Sequence, residues 1–145
     1  MAKKDSDLAE LRKLVEKLSV VDAEIAGQLE RFEAALHDVR PGVPLAYAFD
    51  RGENEDGDFT EVLGYQKWNG KWGLHYHYLV EGIDEHEFEP KPLAEWSRDL
   101  KRRVLPHLAH FVANAVDQLR AQLVAAKEQV EAASLLLGKL EEADQ

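Results

Sequence analysis

Cysteine is absent from the 145 residues. That excludes disulfides, thiolate metal centres and a cysteine nucleophile together, and it fits a reducing compartment. Long apolar runs are absent too. Nothing approaches the ~20 residues of a membrane span, and the opening MAKKDSDLAE lacks the apolar core of a secretory signal. The expected location is cytoplasmic, with no membrane partner. Serine is scarce: Ser6, Ser19, Ser97 and Ser134 are the four, all expected in or capping helices and none in a G-x-S-x-G elbow, so nucleophilic catalysis has no candidate. Gly64 to Lys71 (GYQKWNGK) nearly spells a phosphate loop. It has five residues between its glycines where four are needed, lacks the following Ser or Thr, and lies in a hairpin pattern. No cofactor is expected, and an enzyme is the less favoured reading.

Positive charge is short. The net charge is -10, and it is unevenly placed: seven basic residues face nine acidic ones in 1–40, three face eleven in 41–90, and eight face eight in 91–145. An acidic middle repels phosphate backbones and anionic surfaces, so a nucleic-acid partner is not expected. At 45% hydrophobic and 32% charged, the chain reads as one domain, 1–145, long enough to bury a single core without staples.

The clearest signal present is Phe59 to Val80. Asn69-Gly70 separates two β-rich runs, and a two-residue type I′ turn needs positive φ at both central positions, which Asn and Gly tolerate best. The turn fixes a register from Trp68 opposite Lys71 to Phe59 opposite Val80. Alternation then gives one face Phe59, Leu63, Tyr65, Trp72, Leu74, Tyr76, Tyr78 and Val80, a surface that requires cover. The other face carries Thr60, Val62, Gln66, Trp68, His75, His77 and Leu79.

Around this hairpin lie helices. From Asp7 to about Asp38 the apolar residues keep a heptad, Leu8, Val15, Leu29 and Leu36 at one position and Leu11, Leu18, Ile25 and Phe32 at the other, widened by Leu14 and Val21. Asp5, Ser6 and Asp7 are capping candidates, and Arg40-Pro41-Gly42 ends the helix. Val43 to Asp50 alternates as a strand with Leu45, Tyr47 and Phe49 inward. Arg51 to Asp58 (RGENEDGD) is expected as an exposed acidic loop, and Glu81 to Lys91 as a second acidic, irregular segment. Pro92 opens a short helix with Leu93, Trp96, Leu100 and Val104 on one face. At Pro106 that helix either bends or ends before a new one begins. Beyond it Ala109, Val112, Val116, Leu119, Leu123, Ala126, Val130, Ala133, Leu137 and Leu140 form an unbroken heptad seam. A second flank, Val104, Leu108, Phe111 and Ala115, lets the seam meet the first helix while the flank meets the sheet. The expected fold is α+β: a long N-terminal helix, a three-stranded antiparallel sheet, a short helix and a long C-terminal helix.

Histidine is the residue type that could carry chemistry. His75 and His77 share a strand face, and His107 and His110 share the polar side of the last helix with Asn114 and Asp117. Convergence of the two pairs at about 2.0–2.1 Å would hold zinc or a similar ion. Placing Gly57 at the sixth position of a calcium loop puts Gly52 at the first ligand and Leu63 at the twelfth, which rules out an EF-hand and leaves a loose contact at Asp56 and Asp58. Arg98, Lys101, Arg102 and Arg103, with Lys91, form the one basic concentration, an anchor for phosphate or an acidic partner if not a solvated face.

Two long seams and one small sheet offer more apolar stripe than one chain readily buries. The expected function is therefore a non-enzymatic interaction or regulatory protein, self-associating as a homodimer or binding another protein, with Trp68, Arg98, Lys101, Arg102, Leu137 and Leu140 as contact candidates. A metal-binding protein using the four histidines is the alternative. An acidic inhibitor that mimics nucleic acid is a further one.

Overall fold

The computed structural model describes residues 2–55, 57–82 and 89–144. Its order is α1 (Ala2–Val39), β1 (Leu45–Asn54), β2 (Gly57–Trp68), β3 (Lys71–Val80), β4 (Lys91–Pro92), α2 (Arg98–Val104) and α3 (Leu108–Ala143). The class is α+β as expected, with an antiparallel sheet ordered β1-β2-β3-β4.

The hairpin has the expected register from Phe59↔Val80 to Trp68↔Lys71. Asn69 and Gly70 stand at φ 52 and 82, the pair of left-handed residues that a type I′ turn requires. Three departures from expectation surround it. The sheet has four strands, because Lys91 and Pro92 pair with Tyr76 and His75; two residues, one without an N–H, carry no period from which a strand could be read. The acidic segment after Asp50 is largely strand. β1 runs on to Asn54 opposite Gly57, and a bulge sets Phe49 between Ala48↔Val62 and Asp50↔Glu61, so the pairing is imposed by β2 and not by alternation in β1. Finally, α1 begins at Ala2, which places Asp5, Ser6 and Asp7 inside the helix and not at its cap. Asp56 and residues 83–88 of the second acidic segment lie outside the described residues.

The core forms where the aromatic face of the hairpin meets the helices. Leu45, Leu63, Tyr65 and Leu74 from the sheet pack with Leu29 of α1, with Leu93 and Trp96, with Leu100 and Val104 of α2, and with Phe111 and Ala115 of α3. Phe32 meets Phe111 edge-on at 5.8 Å. Gly73 marks where α1 crosses the edge of β3: a Cβ there would stand 3.1 Å from the Glu33 carboxylate, which accepts the Leu74 N–H at 2.8 Å. The last helices are joined through a short 3₁₀ turn. α2 is capped by the Ser97 hydroxyl, which accepts the Leu100 N–H, and Pro106 sits in a 3₁₀ turn, Leu105–His107, that leads into α3. No helix among the described residues is long and apolar enough to cross a membrane.

Candidate interaction surface

The orientation of α3 determines what the molecule shows to solvent. An apolar seam would ordinarily be expected to turn inward, but a polar stripe of α3 turns toward β1 instead. Asn114 Nδ2 donates to the Ala46 carbonyl at 2.8 Å and Gln118 Nε2 to the Pro44 carbonyl at 2.9 Å. His110 stacks on Tyr47 and His107 lies against Phe49. β1 is an edge strand, and its outward carbonyls need donors that an apolar seam lacks. With this stripe on the edge, the flank of Leu108, Phe111 and Ala115 enters the core, and the seam faces outward. Of the seam, Leu119 packs against the core, and Val112, Val116 and the residues from Leu123 onward are exposed.

The consequence is a long apolar stripe in solvent. It begins at Val112 and Val116 and continues through Leu123, Val130, Leu137 and Leu140, which are 55, 66, 57 and 54% exposed. Every residue from Arg120 to Gly138 is exposed along this arm, Gly138 itself excepted. α1 repeats the pattern at its other end. From Lys3 to Val21 no side chain is buried, so Leu8, Leu11, Leu14, Val15, Leu18 and Val21 are open, and burial starts only around Ile25 and Leu29. A single chain whose rods pair along their full lengths is not what forms.

The other contact candidates are dispersed. Trp68 ends β2 at the hairpin tip, half exposed. Arg102 is committed to Asp22 of α1 through two bonds of 2.7 Å, which hold the Asp22 carboxyl below the usual carboxylate range. Arg98 and Lys101 line a cleft of about 260 Å³ between α1 and α2 with Ser19, Asp22, Ala23, Ile25 and Ala26. Arg102 thus ties α2 to α1, and Arg103 ties α2 to the sheet.

Arg103 reaches a cluster that the sequence reading missed. Glu61 lies on the core face of β2 at 4% exposure, accepts the Tyr76 hydroxyl at 2.6 Å, and forms an ion pair with Arg103. Burial, followed by the bond to Glu61, pushes the Tyr76 phenol well above its ordinary value of 10. The available signal was the register itself, since Glu61 opposite Tyr78 falls on the aromatic face. With each of its polar atoms answered, the cluster reads as architecture: among the described residues no buried side-chain polar atom lacks a partner.

The histidines do not gather. His75, 3% exposed, bonds the Gly73 carbonyl through Nδ1 at 2.8 Å, and His77 Nε2 stands 3.0 Å from Gln66 Oε1, both on the sheet face opposite Leu74. His107 and His110, 6.3 Å apart between rings, pack on Phe49 and Tyr47, and Tyr47 pairs with Leu63 on the core face. The sheet separates the two pairs. Among the described residues no three His, Asp or Glu side chains come together in the manner of a metal site. No family model, curated protein or solved structure matches the chain.

Proposed function

We propose that this is a non-enzymatic interaction protein that self-associates through its long helices, with the outward seam of α3 as the principal contact. One observation carries the reading: Val112, Val116 and the apolar heptad residues from Leu123 to Leu140 stand in water, the first two because the polar stripe of α3 is spent on the open edge of β1. A helix so far from any sheet gains its tertiary stabilisation only from another helix. The buried charges serve packing, Arg102 holds α2 to α1 and Arg103 holds α2 to the sheet, so neither supplies a rival site.

Light scattering at micromolar concentration tests this. The native protein should have twice the 16.4 kDa of one chain. Leu137→Glu should return it to one. Burying a leucine is worth about 1.5–3 kcal/mol, and a symmetric contact loses two, so the dissociation constant should rise at least about a hundredfold. A native mass of one chain, unchanged by Leu137→Glu, would defeat the proposal.

A further inference from the structure

Resting on that reading, we infer that the occupant of the seam is α3 of a second copy, running antiparallel, with the two-fold axis between Glu131 and Ala132. The seam complements itself when reversed about that point. Leu123 then lies against the partner's Leu140, Ala126 against the partner's Leu137 and Val130 against the partner's Ala133, and the same three layers repeat in mirror order. Each alanine meets a larger residue, so the thickness of the two central layers is even on both sides of the axis. A parallel pair would stack Ala126 on its own copy and Ala133 on its own copy. Thin layers would then alternate with thick ones, which leaves voids.

Charge favours the same register. In antiparallel pairs the residues that flank the seam on one side face their own kind across the contact, and here those are Arg120, Lys127, Ser134 and Glu141. Reversal brings Arg120 to the partner's Glu141 and Lys127 to the partner's Ser134, with Glu141 in reach of both cations. Neither Arg120 nor Glu141 has an ion pair within its own chain among the described residues. The opposite flank, Gln122, Gln129, Leu136 and Ala143, is uncharged. Moving the axis one heptad toward the sheet lengthens the overlap but sets Arg120 against the partner's Lys127. In the parallel arrangement the flanking pairs are Gln with Lys, Gln with Ser and Leu with Glu, none of them an ion pair.

The proposed overlap runs from Leu119, half-buried where α3 leaves the core, to Asp144. At 1.5 Å per residue it is about 38 Å long. Val124 and Leu135 remain outside this contact.

The absence of native cysteine makes cross-linking a clean test. In the antiparallel pair Leu123 is about 26 Å from its own copy, 17 residues at 1.5 Å rise, but adjacent to the partner's Leu140, within the ~4 Å between Cβ atoms that a disulfide needs. Full-length Leu123→Cys and Leu140→Cys should each stay reduced alone under mild oxidation with oxidised glutathione. Mixed in equal amounts they should form a disulfide joining one of each. Arg120→Glu should weaken the dimer about tenfold, and adding Glu141→Arg should restore it. Cross-linking of both variants, each with itself, would establish a parallel pair, and cross-linking of Leu123→Cys alone with itself would place the axis nearer the sheet; either result overturns the inference. A two-chain mass with no disulfide in any sample would overturn this register while leaving self-association standing. A one-chain mass for the native protein would overturn both.

Discussion

Tyr76→Phe removes one hydrogen-bond donor from Glu61, the one carboxylate buried in the core among the described residues, and its cost can be worked from the contacts. The hydroxyl donates to Glu61 at 2.6 Å, and hydrogen bonds to charged acceptors contribute about 1.5–3 kcal/mol net. The Glu61 carboxylate is buried but keeps Arg103, whose own side chain is partly in solvent, so it is left under-solvated and not unpaired. The expected loss is therefore toward the middle of that range, about 2 kcal/mol. Glu61→Gln should cost a similar amount or more. It leaves an acceptor for Tyr76 but replaces the oxygen facing Arg103 with a donor, or the reverse, and either way one bond is lost along with the charge. Because the two changes remove parts of one cluster, the double variant should fall short of the sum of the singles by about 1 kcal/mol or more. Urea denaturation followed by tryptophan fluorescence reads all three, with Trp72 and Trp96 close to the core as reporters. A cost below about 0.5 kcal/mol for Tyr76→Phe, or strict additivity in the cycle, would show that water competes for Glu61 and that the cluster does not hold α2 to the sheet.

The turn and the titration of the phenols give two further tests. Gly70 stands at φ 82 with no atom near a built Cβ, so Gly70→Ala carries only the left-handed penalty of about 1–2 kcal/mol; a neutral or stabilising result in the same denaturation assay would remove the type I′ turn. Tyr76 is raised above 10 by burial and by Glu61, and Tyr65 by burial and by Glu33. A phenol with the higher value in the native state gives stability that is complete below pH 10 and is lost as pH climbs beyond it, because the unfolded chain ionises first. Unfolding free energy should thus fall above about pH 10, and less steeply in Tyr76→Phe, whereas parallel profiles for the two proteins would contradict the burial of that hydroxyl.

The hairpin was readable because two local rules agree: Asn-Gly sets the turn, and a period of two sets the faces from Phe59 to Val80. The continuation of β1 through Arg51, Gly52 and Glu53 was not, since a polar segment paired by its neighbour has no alternation of its own. β4 was hidden for a related reason, being two residues, Lys91 and Pro92, paired by β3. Both long helices were readable from their heptads, but the direction each face takes was not. A stripe of leucines and valines on α3 is a rule for burial somewhere, and the chain contains no local mark that the edge of β1 will claim Asn114 and Gln118 first. Of the contact candidates, Leu137 and Leu140 lie on the exposed seam, whereas Arg102 turns out to be bound within the chain. Its partner Asp22 is 80 residues away, a distance at which sequence spacing says nothing.

Amide hydrogen exchange across residues 120–143, followed with protein concentration, bears most directly on the seam. An unpartnered helical arm is stabilised by little beyond its own hydrogen bonds and opens readily. Packed against a second helix, its amides should be protected, with protection centred on Val130 and Ala133, rising with concentration and lost in Leu137→Glu. Rapid exchange throughout the arm at every concentration, the same in the native protein and in Leu137→Glu, would contradict the account.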